Sequence, residues 1–418
     1  MAPGNGPAFG KERSCLWQVG TAGGFRQLRS TGMSTEPPRP PTVLSVQPVA
    51  ERGGSDQALL RMARQLSAAG WDVHVALPAP SPMAAEFASA GVTLHVVPMP
   101  RISTSHGAAA WVGYALNWPK SVLTLRRLSR SVQADVVHSN SLHSWYGWAA
   151  AGLAGKPHIW HAREIVVQSR SALLVERFLA LHFARRVLAI SEAVASQLHR
   201  ANLTVVHEEA DPAEFYPGRA GRARRKYGLP DDALVVGYVG RIDTWKGVDV
   251  LLDSVPRLWA RVGGEGVRVV IAGGTVGDKE TYAGGLRQNA EELGVLWLGP
   301  LSGEDAGDLI ADLDCLVLPS TEPEPWGLVL VEALACGTPV VATDAGGARE
   351  ILAGLPPDAG RLVPPRDATA LATAVATLLP ATTTTAQRRA RQPLRAGEPA
   401  PYVEIFEEVA GRRPYVAG

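Results

Sequence analysis

The sequence predicts an α/β protein made of two doubly wound parallel-sheet domains, and three observations predict it. Its 418 residues are too many for one ordinary core and suit two. From Thr42 onward short apolar strands alternate with amphipathic helices, the mark of βαβ units and a parallel sheet. A second series of the same kind opens at Ala233. The composition, 46% hydrophobic and 19% charged, is that of a soluble globular protein.

Residues 1–41 are rich in Gly, Pro, Arg and Ser and lack any apolar run long enough for a signal peptide or a membrane span, so they read as a disordered tail. Met33, just before the first strand, is a candidate start. Cys15, Cys315 and Cys336 make no disulfide framework, which points to a reducing cytoplasm. The last two lie in apolar surroundings and read as core.

In the first domain, 42–207, the strand Thr42–Val49 leads into a helix with Leu59, Leu60, Ala63 and Leu66 on one face. The turn between them carries Gly53 and Gly54, which let a backbone approach a ligand at a strand's carboxyl end, or simply make a tight turn. Strands over 72–77 and 92–98 follow. The helix over 108–132 carries Trp111, Tyr114, Trp118, Leu123 and Leu125, then Arg126, Arg127 and Arg130. Such a helix could lie on a bilayer, although packing into the core is the commoner fate.

The next strand ends in polar residues at 135–143, where a parallel sheet presents its site. His138 and His143 there are candidate proton carriers or sugar ligands, and satisfied structural histidines are the alternative. A strand over 158–165 ends in His161, Arg163 and Glu164, a charged trio that could bind an anionic acceptor unless Arg163 and Glu164 pair with each other. Val187–Ser191 closes the half, with Ser191 as the N-cap of the helix after it.

Net charge is +1 but unevenly divided: residues 42–207 hold 15 Lys/Arg against 8 Asp/Glu, and residues 208–418 hold 21 against 30. The first half should therefore favour anionic partners. No Lys/Arg stripe alternates with aromatics, so a phosphorylated acceptor or a membrane surface fits better than nucleic acid.

Residues 205–217 read as a domain connector. In the second series the strand over 233–239 leads to Arg241 and Lys246, which bracket a loop before a helix that buries Val250, Leu251 and Val255. Two cations beside a strand end suit a diphosphate, for binding and for the charge that grows as it leaves. The strand over 267–274, with Gly277 after it, lacks the Gly-x-Gly spacing and acidic partner of a dinucleotide fingerprint. Asp312 and Asp314 sit at a helix-to-strand turn, where capping explains them better than a metal, and no other cluster has metal-ligand spacing.

The most informative stretch is Ser320–Val341, STEPEPWGLVLVEALACGTPVV. A strand over 314–319 runs into a Pro-punctuated loop, and Leu328, Val331, Leu334 and Ala335 then recur at helical spacing from about Gly327. Free N–H groups and the positive end of the macrodipole make the start at Gly327 and Leu328 a place for anions. Glu324 lies just before that start. Glu332 lies inside an apolar run, where an unpaired carboxylate would be costly. Two helical turns let both face one cleft.

Here the chain resembles the retaining GT-B glycosyltransferases of family four, the glycosyl transferases group 1, whose signature is a Glu, seven residues, a second Glu, then ACGTPVV and a Gly pair, here Gly346 and Gly347. The resemblance runs from about Thr42 to Val363. It implies two Rossmann-like domains facing a cleft, residues 42–207 on the acceptor side and 208–400 holding a nucleotide-diphosphate sugar as substrate, with the last helix, 401–418, returning to the first domain. It implies no separate cofactor, transfer with retained anomeric configuration, and an acceptor hydroxyl on a glycan, lipid-linked or small molecule.

Residue by residue, the resemblance implies that Glu324 holds donor-sugar hydroxyls and Glu332 the ribose. Gly240, Arg241, Lys246 and Gly247 match the donor-phosphate loop, Gly53 and Gly54 line the cleft, and Gly299 to Leu301 lie where the base is held. Asn140 replaces a His that in relatives contacts the transferred sugar. The connector departs too, with Glu208, Glu209, Ala210 and Asp211 where relatives read Asn-Gly-Val-Asp, so the hinge is expected to differ. A non-catalytic sugar-nucleotide-binding subunit, or an epimerase or hydrolase of the same architecture, are the rival readings.

Overall fold

The computed structural model describes residues 39–100, 108–167, 169–264, 266–275, 279–395 and 399–412. Residues 1–38 of the tail, with Cys15 and Met33, and also Gly277, residues 413–418 and the side chain of Trp111 lie outside the described residues.

The first sheet domain contains β1 (Thr42–Val46), α1 (Gly54–Ala68), β2 (Asp72–Leu77), α2 (Ala84–Ser89) and β3 (Thr93–Val96). It continues with α3 (Ala108–Ser131), β4 (Val136–Ser139), α4 (Trp145–Ala154), β5 (His158–Ala162), α5 (Arg170–Phe183), β6 (Arg186–Ala189), α6 (Glu192–Ala195) and β7 (Leu203–Val205). The second contains α7 (Arg222–Tyr227), β8 (Leu234–Val239), α8 (Val248–Val262), β9 (Val267–Ala272), α9 (Glu280–Glu292), β10 (Leu296–Gly299) and α10 (Gly303–Asp312). After these come β11 (Cys315–Leu318), α11 (Leu328–Ala335), β12 (Val340–Thr343), α12 (Ala348–Leu352), β13 (Gly360–Val363), α13 (Ala368–Leu378), α14 (Thr385–Arg389) and α15 (Tyr402–Val409).

Both sheets are parallel. Their orders are β3-β2-β1-β4-β5-β6-β7 and β10-β9-β8-β11-β12-β13. The central strands are buried on both faces, so they read as continuous Val/Leu runs such as TVLSV and CLVL rather than alternating ones. In each sheet the chain reverses direction beside its first strand, between β1 and β4 and between β8 and β11. A doubly wound sheet opens a crevice at the carboxyl ends flanking such a switch.

Two glycines set the second crevice. Gly247 has φ +70, and a Cβ on it would lie 2.0 Å from the carbonyl oxygen of Pro319, so only glycine lets the loop after β8 rest on the end of β11. Gly346 has φ +63, and its Cβ would lie 2.0 Å from the carbonyl of Glu324. Residues 324 and 346 form a parallel bridge, and Gly347 N–H donates to Glu324 O at 2.8 Å, so the Gly pair holds the backbone of Glu324.

Helix α15 packs Tyr402, Ile405, Phe406 and Val409 into the core of the first sheet with Leu59, Met62 and Trp71, the Trp71 and Phe406 rings meeting edge to face. Ser191 caps α6 by accepting from Val194 N–H. Cys315 and Cys336 are buried free thiols. Capping, expected of both Asp312 and Asp314, holds for Asp312 and not for Asp314. Asp312 accepts from Gly221 and Arg224 N–H and so caps α7, an element 88–91 residues away. Asp314 accepts from Val235 N–H and is held by Arg388 at 2.7 Å, Arg391 at 2.8 Å and Arg224 at 3.3 Å. The fully buried Asp314 carboxylate and Arg388 guanidinium satisfy each other there, with Arg224 and the partly exposed Arg391 beside them, and they tie the segment carrying α14 to the sheet.

Candidate active site

At the second switch point the loop after β8 and the loop after β11 are stitched together, Thr321 N–H donating to Trp245 O at 2.7 Å. This brings Lys246 Nζ to 2.8 Å from both oxygens of Glu324, while Ser320 Oγ donates to Glu324 Oε2 at 2.8 Å. Glu324 is 8% exposed. The ammonium also stands 4.1 Å from the centre of the Trp245 ring, which adds a cation–π attraction. Gly327, in a left-handed conformation with φ 101, turns the chain into α11, so Leu328 opens the helix directly behind Glu324. Arg241 leaves the end of β8 with its side chain exposed, and its Nη1 lies 3.9 Å from Glu51 Oε2, just past β1. The structure thus joins Lys246, Glu324 and the start of α11, while Arg241, in the same loop as Lys246, turns its side chain towards Glu51.

Glu332 has a different neighbour from the one the resemblance assigns. Arg61 on α1 reaches it at 2.6 Å, and both side chains are buried. Burial raises the Glu332 carboxyl above its ordinary range and Arg61 opposes it. Burial alone would lower the Arg61 guanidinium, but Glu332, with Glu208 and Glu214 beyond it, outweighs burial and leaves it raised. A ribose contact at Glu332 would have to be shared with this pair. Gly299, with φ +70, ends the edge strand β10 and accepts from Gly273 N–H through its carbonyl.

On the first sheet Gly53 precedes α1 as its N-cap, and a Cβ on Gly54 would meet nothing within 4 Å, so the turn faces open space. Beneath it lies Asp56, whose carboxyl is raised from 3.8 to about 6, chiefly by burial and against a hydrogen bond from Gln47. The residues behind the turn form a closed network. Asn140 Nδ2 donates to Gln47 Oε1 at 3.0 Å and to Ser55 O at 3.1 Å, and its Oδ1 accepts from Arg163 Nε at 2.8 Å. Arg163 Nη2 donates to Glu208 Oε1 at 2.7 Å, and Glu208 also accepts from the Tyr402 hydroxyl.

These contacts correct several expectations. Asn140 is fully buried and its amide is used internally, so it is not presented to a sugar. Arg163 and Glu164 do not pair side chain to side chain. Glu164 accepts instead from Leu142 and Arg163 N–H and from the Ser141 hydroxyl. His138 and His161 are fully buried against Phe406 and Tyr402 of α15, and burial, with Arg163 next, pushes both imidazoles well below their ordinary range. They are packing groups, not acceptor ligands. His143 alone of that set has a substantially exposed side chain, and its Nδ1 lies 2.6 Å from buried Glu176.

The connector is also explained. No residue from 208 to 211 has a positive φ, so the glycine that relatives carry there is not needed. Its carboxylates are each met: Glu208 by Arg163, Glu209 by Arg395 at 2.6 Å and Asp211 by Arg64 at 3.9 Å. Contacts between the sheets continue beside it. Glu350 accepts from Glu192 and Ala193 N–H at the start of α6, and Ser191 donates to Pro325 O. Trp326 donates to Glu208 O and stacks on His207 at 4.4 Å. Arg61, Glu176, Glu350 and Trp326 were missed in the sequence because their partners lie 33 to 271 residues away. The one usable signal was a charged or bulky residue inside an apolar run.

Two family models match the chain, one described as glycosyl transferases group 1 over residues 233–380 and one as a glycosyl transferase 4-like domain over residues 53–209. Among curated proteins, the D-inositol 3-phosphate glycosyltransferase of Stackebrandtia nassauensis is 33% identical over 404 residues, 88% of this chain and 86% of that protein. The protein of the same name from Mycolicibacterium smegmatis is 35% identical over 238 residues, 51% of this chain and 52% of that protein, so the match spans about half of it. Among solved structures, Anabaena HepE in complex with UDP-glucose superposes with a TM-score of 0.69 at 23% identity, covering 88% of this chain and 98% of that one. Sucrose-phosphate synthase from Thermosynechococcus elongatus gives 0.65 at 21%, covering 85% and 92%. Those two likenesses show the GT-B fold.

Proposed function

Starting from the fact that this chain belongs to the group 1 glycosyltransferases and is itself a glycosyltransferase, we propose that it moves a sugar from a nucleotide-diphosphate donor to a hydroxyl of a small anionic polyol, with the anomeric configuration retained. The observation that carries the donor half is the pairing of Lys246 with Glu324 at the start of α11, with Arg241 in the same loop as Lys246. An ammonium, a guanidinium and a helix start supply positive charge where a diphosphate departs. That arrangement stabilises the leaving group in proportion to the charge it gains. Glu324, accepting only, grips sugar hydroxyls, and its backbone is held by Gly346 and Gly347. Glu332, braced by Arg61, is offered to the ribose. No side chain is assigned as a covalent nucleophile.

The anionic acceptor is supported by the cationic surplus of residues 42–207 and by relatives named for inositol 3-phosphate. Arg241, Lys246 and the helix start meet the leaving charge without a metal in this reading, so a chelator is expected to leave the rate unchanged.

The test is a thermal-shift screen of uridine-, guanosine- and adenosine-diphosphate sugars, followed by product analysis with inositol 3-phosphate and with plain inositol. One donor should raise the unfolding temperature, since a ligand selective for the native state stabilises it. Transfer should then favour the phosphorylated polyol and give the retained anomer. Equal use of both polyols would overturn the anionic acceptor. An inverted product would overturn retention.

A further inference from the structure

Helices α3, α4 and α5 cover the same face of the first sheet, and their aromatic rings touch in series, Trp118 to Trp148 at 6.5 Å and Trp148 to Phe183 at 4.8 Å. Their outward sides are unusually apolar. Of the twelve large hydrophobic side chains that stand exposed among the described residues, nine lie between Val112 and Phe183. Leu116 is 65% exposed on α3, and Leu174 and Phe178, one turn apart on α5, are 63% and 55% exposed. Leu153, in the last turn of α4, is 52% exposed, and its carbonyl accepts from Arg126 of α3. Scattered apolar residues are ordinary on a surface, but a cluster rimmed by charge of one sign marks an interaction site.

The rim has one sign. Lys120, Arg127 and Arg130 are exposed along α3, and Arg170 and Arg185 flank α5. The only carboxylate on the three helices, Glu176, is buried against His143 and Trp145 and adds nothing to the outer face. No helix among the described residues is long and apolar enough to cross a membrane.

We propose that the outer face of α3, α4 and α5 docks this enzyme peripherally on an anionic lipid bilayer, Leu116, Leu174 and Phe178 entering the acyl boundary and the flanking cations meeting lipid phosphates. An apolar stripe bordered by Lys and Arg is what such a surface selects, and binding rises with buried apolar area and with lipid charge. A protein partner would have to be acidic and apolar at once. A bilayer of anionic lipid is both by construction. The docking face carries none of the groups assigned to the donor, so its failure and that of the transfer reading are separable.

The experiment is co-sedimentation of the full chain with vesicles of phosphatidylcholine alone and of phosphatidylcholine mixed with phosphatidylglycerol. The protein should pellet with the mixed vesicles, remain in solution with the neutral ones, and be released as salt rises. Leu174→Glu combined with Phe178→Glu should weaken retention at least tenfold while leaving the thermal midpoint and transfer to a soluble acceptor unchanged. If that variant does not fold, Leu116→Glu on the separate helix α3 carries the same expectation. No retention by anionic vesicles, equal retention by neutral ones, or undiminished retention of the folded variants would overturn the proposal. So would a dimer in sedimentation velocity that these substitutions dissolve, which would make a second copy of this chain the occupant.

Discussion

The carboxyl ends of the two sheets occupy equivalent places in equivalent folds, yet they use polar residues in opposite ways. At the end of β8 and β11, Lys246 and Glu324 hold each other with 13% and 11% of their side chains exposed, and Arg241 in the same loop as Lys246 stands exposed. At the end of β4 and β5, His138, Asn140, His161 and Arg163 are consumed by a buried network that runs to the connector and to α15. Position at a strand end invites a ligand. Burial and the availability of a partner decide whether the residue meets one.

That contrast can be broken at either end. The largest expected effect is on the buried side. Glu208→Gln leaves the Arg163 guanidinium buried without its carboxylate, which should cost about 3–5 kcal/mol of stability in chemical denaturation. Replacing both partners together, Arg163→Met with Glu208→Leu, should recover much of that loss. Equal losses in the single and double variants would show that the pair is not the unit. At the donor end, Glu324→Gln or Lys246→Met should lower turnover about 100–1000-fold, or about 3–4 kcal/mol of transition-state stabilisation, and should also lower the midpoint of unfolding, since each leaves a largely buried partner unpaired.

A pH effect sharpens the boundary between the two regimes, because Asp56 lies under the exposed turn but is itself buried. Its folded value is raised to about 6 from an ordinary 3.8, so the folded protein holds this proton more tightly than the unfolded chain. The stability it contributes is complete below about pH 4 and is lost as the pH rises towards 6, up to about 3 kcal/mol in all. In Asp56→Asn the fall in that window should flatten, read from denaturation midpoints at a series of pH values. The smallest effect is expected at His138. His138→Gln should change turnover less than about threefold and stability by about 1 kcal/mol, since it removes one hydrogen bond to Ser45 and some ring packing.

Much of the fold was legible because its signals are local. Runs such as TVLSV and LVVGYV become buried central strands, Ser191 caps the helix that follows it, and the stretch around Glu324 turns into α11 at Gly327. The donor side was legible for a related reason: the chemistry of Arg241, Lys246 and Glu324 sits in two short loops after adjacent strands. The acceptor side was not. Whether Asn140 or His161 faces a cleft depends on Glu208 and on α15, which arrive from far along the chain, and periodicity does not encode which surfaces close on each other. Glu332 shows the same limit, since a carboxylate in an apolar run signals a partner but not that the partner is Arg61.

The most direct test of the donor site is a crystal structure of the enzyme soaked with the sugar nucleotide that the stability screen selects. The diphosphate should lie within about 3 Å of Lys246 Nζ and the Arg241 guanidinium, with Glu324 accepting from hydroxyls of the sugar. A nucleotide bound elsewhere, with Lys246 and Glu324 still paired to each other and remote from it, would contradict it.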